Sequence, residues 1–259
     1  MKTAASKYLP LLATAVLATP ALAGTPAPVA APPVPAADAG WTFRSAPYLW
    51  AQGLDGTMGV LGLEGNVDLS FGDILSDLDF AFMGMFEARH GRLGIMADLN
   101  YAETSSILGA RDILFTGGDF KMKQFLGNVT LSWRVVETPT TTVDLYGGAR
   151  INWVDIGIGM NTVAGGRISR SGDETWVDAI AGIRFQTSLG GPWFLRGVGD
   201  IGGGSSDLTW QAMGLIGYNI NDSTSIGLGY RALSTDYENG GFTYDVTASG
   251  PMLGVEKRF

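Results

Sequence analysis

The chain has no cysteine and a single histidine among 259 residues. Without cysteine there is no disulfide framework, no cluster of thiolate ligands and no lipidatable cysteine to make a lipoprotein. One histidine rules out a histidine-based metal centre and leaves His90 as the only ordinary general base of its type. Charge is scarce, at 16% of residues. No apolar run reaches the ~20 residues of a spanning helix.

The longest apolar stretch lies at the start. Lys2 and Lys7 precede a run from Leu9 to Ala18, followed by Ala21-Leu22-Ala23, the three parts of a signal peptide cut before Gly24. The run is roughly half the length a membrane anchor would need. Without Lys2 and Lys7, 15 of the 17 basic residues remain against 25 acids, a net charge of −10, which argues against a nucleic-acid partner. Residues 24–40 are rich in Pro and Ala, carry only Asp38 as charge, and read as an extended periplasmic linker.

Glycine is abundant, at 38 residues, and suits curved strands and tight turns better than helices. From Trp41 onward the chain alternates with period two. In 124–135, Phe125, Gly127, Val129, Leu131, Trp133 and Val135 oppose Gln124, Asn128, Thr130, Ser132 and Arg134. The stretches at 143–153, 177–186, 193–201 and 226–232 repeat the pattern. Alternation alone also fits a soluble sandwich. Two features favour a membrane barrel: segments well beyond the ~5–6 residues of soluble strands, and aromatics at the ends of the apolar faces, such as Trp133, Trp193, Trp210 and Tyr218.

Ten strands are predicted, near 41–52, 79–90, 92–104, 117–135, 141–157, 174–188, 192–203, 207–220, 223–235 and 243–259, with eight to twelve open. The expected fold is all-β, an antiparallel transmembrane up-and-down β-barrel over 41–259 in the cell outer membrane. Short turns at 90–92, 137–140, 189–192 and 221–222 are expected on the periplasmic side, with longer polar links at 104–118, 160–173 and 236–241 outside. Residues 53–78 are left as a first external loop with its own hairpin and one helical turn. If the hairpin joins the wall, the count becomes twelve.

The last ten residues, from Gly250 to Phe259, look like the terminal β-signal read by the barrel-insertion machinery: Leu253, Val255 and Phe259 match, and Lys257 departs from it. Pro47-Tyr48-Leu49-Trp50 through Gly53-Leu54-Asp55-Gly56, Phe71 to Leu75, and Phe86 to Arg92 resemble a poorly characterised group of small outer-membrane proteins within the opacity-protein and surface-antigen superfamily. That resemblance covers most of 41–259 and implies a barrel more firmly than an activity.

The alternation turns a set of charges inward: Arg44, Glu87, Arg89, Arg92, Asp98, Asp144, Arg150, Asp178, Arg184, Arg196, Asp200, Arg231, Glu256 and Arg258. In a barrel of about ten strands such groups either pair into a structural filling, favoured because confined unpaired charges are costly, or line a narrow pore for ions or small polar solutes. Residues 53–79 carry Asp55, Glu64, Asp68, Asp73, Asp77 and Asp79 with no Lys or Arg. They are read as a solvated face, with divalent-cation capture or contact with the luminal arginines as alternatives. An enzyme, of which a lipid-modifying one is the natural candidate, needs an acid–base or nucleophile constellation. His90, expected in a periplasmic turn near Glu87 and Arg89, does not supply one, so no catalytic residue, cofactor or metal is expected. The reading is a non-enzymatic barrel with an envelope-structural or surface-presentation role, contacting outer-membrane lipid and an unidentified external ligand.

Overall fold

The computed structural model describes residues 40–60, 63–108 and 115–259. The expected signal peptide and nearly all of the linker lie outside the described residues. Twelve strands and one short helix follow in order: β1 (Trp41–Trp50), β2 (Gly53–Val60), β3 (Leu63–Leu69), α1 (Phe71–Ser76), β4 (Leu78–His90), β5 (Leu93–Leu108), β6 (Phe115–Glu137), β7 (Thr141–Thr162), β8 (Arg167–Gly190), β9 (Trp193–Gly204), β10 (Leu208–Asn221), β11 (Thr224–Asn239) and β12 (Phe242–Arg258).

Every pairing is antiparallel, and β1 and β4 to β12 form a closed circuit of ten in which β1 meets both β4 and β12. The seam is sealed at the terminus itself, where Phe259 N donates to Phe43 O (2.9 Å) and Phe43 N donates to Phe259 O (3.3 Å). A closed circuit removes the unpaired edge that an open sheet would expose.

The twelve-strand alternative is also partly realised. β12 pairs with β1 from Met252 to Arg258 and with β2 from Thr243 to Ser249, so β1 and β2 run as one interrupted strand along it. The interruption falls at Ala51-Gln52, opposite Gly250. A Cβ on Gly250 would stand 1.9 Å from the Ala51 carbonyl oxygen, so only glycine allows this close approach. β3 returns along β2, and α1 leads back to the wall. Its start is fixed by a capping box: Asp73 N donates to Ser70 Oγ, and Ser70 N donates to Asp73 Oδ2.

The polar links expected at 160–173 and 236–241 are mostly strand. β7 and β8 extend to Thr162 and from Arg167, joined by a turn over 163–166, and β11 and β12 meet at Gly240-Gly241, both with positive φ. Beyond the apolar band both faces of a strand are wet, so these extensions have no alternation to reveal them. The link expected at 104–118 is strand to Leu108 and from Phe115; residues 109–114 lie outside the described set.

The outward face is apolar around the ring. Phe82 and Phe86, Ile95 and Leu99, Val129 and Leu131, Leu145, Val177 and Ile183, Ile201, Ile216, Leu228, Leu253 and Val255 are all exposed. A water-exposed surface does not carry an apolar area of this extent. At the Phe259 end the band closes on aromatics: Trp41 stacks on Phe43, and Trp193 meets Tyr218 edge-on at 5.0 Å. On β4, ten residues separate Phe80 from His90, about 25 Å along the normal for a tilted strand, the height of the apolar band of such barrels. The chain is therefore a transmembrane β-barrel of the outer-membrane type, as its sequence implies.

Candidate functional site in the barrel lumen

Period-two alternation sends every second side chain inward, and the lumen so filled has two layers of different chemistry. The layer towards the Phe259 end is charged. Glu87, 1% exposed, accepts from Arg89 (2.8 Å), Arg184 (2.7 Å) and Arg44. Asp144 accepts from Arg89 (2.7 Å), Arg184 (2.9 Å) and Arg134 Nε (3.0 Å). Glu256 lies against Arg196 (2.9 Å) and Arg258 (3.1 Å), with Arg44 at 3.7 Å. Three carboxylates thus gather arginines from six strands into one network. Confined charges at this burial are tolerable only when paired and hydrogen-bonded.

Above it, Arg150 is fully buried and donates to Asn128 Oδ1 (2.9 Å), Thr209 Oγ1 (2.7 Å) and Asp200 Oδ1 (2.7 Å). Tyr146 donates to Asp200 Oδ2 (2.7 Å). Arg231 pairs with Asp98 (3.1 Å) and Gln211, and lies over the Trp50 ring at 4.7 Å; Tyr48 donates to Asp98 Oδ1 (2.7 Å).

The far half of the lumen is aromatic and aliphatic. Trp176 stacks on Tyr237 at 4.3 Å and is flanked by Tyr244 and Phe242. Met122, Leu126, Val154, Ile156, Leu233 and Val246 pack into the same cluster. The hairpin of β2 and β3 joins it through Leu54, Met58 and Val60, and Val60 lies against Gly172 on β8, whose added Cβ would stand 2.9 Å from Val60 Cγ1. The hairpin thus leans inward over the lumen.

Most of the expected inward charges meet in these layers. Arg92 does not: it is exposed in the two-residue turn after His90, because Gly91 (φ 55°) turns the chain before the next inward position, and only its carbonyl takes part, accepting from Arg89 Nη1 (3.3 Å). Asp178 is fully buried but bound to a loop, accepting from Ser206 N and Oγ at 2.7 Å each. Arg134 belongs to the network though it was read only as part of a wet strand face. Tyr146 falls on the wet face of its alternating stretch with Asp144 and Arg150, but neither it nor Tyr48 carries a charge that marks it for the network; the even spacing of Tyr48 with Trp50 is the available signal.

Of the first-loop acids, Asp55, Asp68, Asp73 and Asp79 are exposed and Asp77 is half-buried. They stay on the wet side while Leu54, Met58 and Val60 of the same segment are buried; Phe71 and Leu75 on α1 are exposed. The side chain of Glu64 lies outside the described set. Hydrogen bonds from the Ser70 hydroxyl and amide hold the Asp73 carboxyl below the usual range. His90 ends β4, exposed, with its ring 5.4 Å from Trp41, while Glu87 and Arg89 face the lumen from the other side of the strand. The three do not form a dyad or triad.

Leu253, Val255 and Phe259 are exposed on the lipid-facing side. Lys257, the departure from the terminal pattern, curls over the adjoining turn and donates to Ser223 Oγ (2.7 Å) and Thr224 Oγ1 (3.2 Å).

No protein-family model matches the sequence, and no curated protein is significantly similar to it. Among solved structures the chain is similar to Ail, the attachment invasion locus protein of Yersinia pestis, at 16% identity over 85% of this chain and 98% of that one, with a TM-score of 0.33. Neisserial surface protein A aligns at 13% identity over 85% and 99% of the two chains, with a TM-score of 0.35. The translocator domain of NalP from Neisseria meningitidis aligns at 13% identity over 87% and 90%, with a TM-score of 0.42. The barrel rests on its own strand pairing and outer face, not on these likenesses.

Proposed function

We propose that the protein is a sealed, non-enzymatic outer-membrane barrel that serves the envelope as a structural or surface-presenting element. The observation that carries this reading is the filling of the lumen by two stacked layers. Carboxylates and arginines pair across the Phe259 end, and the Trp176 cluster, with Leu54, Met58 and Val60, packs the far half. A hydrated ion would have to displace both. Bilayer conductance of the refolded protein tests it: the expected trace is flat, and steady ohmic steps would establish the narrow-pore reading instead.

In this proposal residues 1–23 are a cleaved signal peptide and residues 24–40 a periplasmic linker, which places the Phe259 end at the periplasm. Lipid meets the apolar band, and the exposed pattern Leu253, Val255 and Phe259 is what the insertion machinery reads during assembly. The long wet extensions of β6, β7 and β8 and the acidic surface of residues 53–79 are the parts offered to external partners. A lipid-modifying activity has no support from His90, whose neighbours Glu87 and Arg89 are committed to the opposite face.

A further inference from the structure

The charged layer is not balanced. Arg44, Arg89, Arg134, Arg184, Arg196 and Arg258 form it together with Glu87, Asp144 and Glu256, and the fourth carboxylate in reach, Glu137, is half-exposed at the rim. Six guanidinium groups therefore share three interior carboxylates. The hydrogen bonding shows the shortfall at one place. Arg184 spends Nη2 on Glu87 and Asp144, but its Nη1 meets the Met96 thioether sulfur at 3.2 Å, a weak acceptor for a buried cation. Arg196, on β9, gives Nε and Nη2 to Gln186 Oε1, a neutral partner. Its approach to Glu256 Oε2 at 2.9 Å leaves that oxygen without an aligned hydrogen bond.

Arg184 and Arg196 border a cavity of about 120 Å³ within the lumen. The rest of its wall is largely apolar, with Met85, Met96, Met213 and Met252 prominent. Methionine is unbranched and soft, so such a wall adapts to an occupant's shape. For scale, an apolar cavity of roughly 150 Å³ holds benzene, so this one has room for an apolar body smaller than a phenyl ring. Arg184, Arg196 and Arg231 border the space with Asp98 and Glu256, and the layer that Arg184 and Arg196 belong to holds more guanidinium groups than interior carboxylates. An apolar wall with a cationic end of this kind is complementary to a small anion with an apolar body.

We propose that this cavity is a binding site for a small organic monoanion, a short-chain carboxylate about the size of butyrate, with its charged end at Arg184 and Arg196 and its apolar body among the methionines. Entry is from the Phe259 end. Side-chain exposure rises in that direction, from 0% at Arg150 through 11% at Arg196 to 34% at Arg258, whereas the aromatic cluster closes the other way. Occupancy of this site is separate from conductance, because the aromatic layer stays shut with or without a ligand below it. A flat bilayer trace and ligand binding are thus independent results.

The test is calorimetric titration of the full-length mature protein, refolded in nonionic detergent micelles, with butyrate, 1-butanol and inorganic phosphate. Saturable one-to-one binding of butyrate is expected, at least tenfold tighter than that of either the neutral alcohol or phosphate. Arg196→Gln should weaken butyrate tenfold or more and leave the alcohol unchanged. Met213→Trp, which fills the cavity from the neighbouring strand β10, should abolish butyrate binding while the folded barrel keeps its compact migration in unheated detergent gels. Absence of saturable butyrate binding overturns the proposal. So does equal binding of the alcohol, which would mark a purely apolar void, or equal binding of phosphate, which would mark a bare anion site. Butyrate binding that survives Met213→Trp would place the ligand outside this cavity and overturn it too.

Discussion

Glu87 shows what a single inward side chain controls. Its carboxylate is shared by Arg44 on β1, Arg89 on β4 and Arg184 on β8, so it ties distant parts of the ring together. Removing one member of a buried ionic network leaves the others without a countercharge, at a cost of about 3–5 kcal/mol. Glu87→Ala is expected to lose stability on that scale in urea unfolding from lipid vesicles. The pair Lys123–Glu103, at 3.7 Å with both side chains more than a third exposed, is the contrast: Lys123→Ala should change stability by less than ~1 kcal/mol. Equal losses in the two variants would show that the lumen screens charge as well as bulk water does. Gly250 acts through space alone. Its Cβ would enter the Ala51 carbonyl, so Gly250→Ala should cost about 1–3 kcal/mol by overpacking where β12 changes partner from β1 to β2.

At the level of elements, the hairpin of β2 and β3 contributes Leu54, Met58 and Val60 to the luminal apolar cluster. It belongs to the sheet through β12, yet its apolar residues leave the wall to cover the far opening. The absence of native cysteine permits a direct test. With Val60 Cγ1 2.9 Å from where a Gly172 Cβ would stand, Val60→Cys with Gly172→Cys should form a disulfide on mild oxidation, seen as a mobility shift without reductant. A pair that stays reduced would mean that the hairpin stands away from β8. The helix that follows has its own pH dependence. A carboxylate held below its ordinary value contributes stability above the usual Asp range, near ~3.9, and loses it as pH falls through the lowered value. Protection of the α1 amides, measured as exchange relative to the intrinsic rate at each pH, should therefore fall in acid, and Ser70→Ala should remove that dependence.

For the whole molecule, closure and filling are distinct properties. Closure depends on the ladder that ends at Phe259, whose backbone exchanges two hydrogen bonds with Phe43. Deleting Phe259 should lower the urea midpoint and slow the appearance of the compact folded form, whereas a Phe259→Leu variant keeps the ladder and should restore most of the stability. Filling depends on side chains from every strand, and it makes the bilayer current, not the fold, the deciding measurement for function. The same division shows how far the sequence could be read. Ten wall strands were legible because lipid on one side and a packed lumen on the other impose strict alternation on each crossing. The tips of β7, β8 and β11 were not, because outside the membrane both faces are wet and the alternation disappears.

By itself the sequence determined the barrel, its ten-strand wall, most but not all of the inward charges and the exposed run Leu253, Val255 and Phe259, since each follows from a local period of two and from the chemistry of one residue's two possible surroundings. It also held the hairpin and the helical turn between β1 and β4, read around Thr57–Val60, Asn66–Ser70 and Asp73–Leu78, where the structure has β2, β3 and, two residues earlier, α1. Only the tertiary structure decided which charges share a carboxylate, that Arg92 lies outside and Asp178 is bound by Ser206, and that Leu54, Met58 and Val60 lean across the lumen. Those outcomes depend on which strands meet around and across the ring, at separations as large as 183 residues between Tyr48 and Arg231 and 212 between Arg44 and Glu256. No local period encodes such a distance.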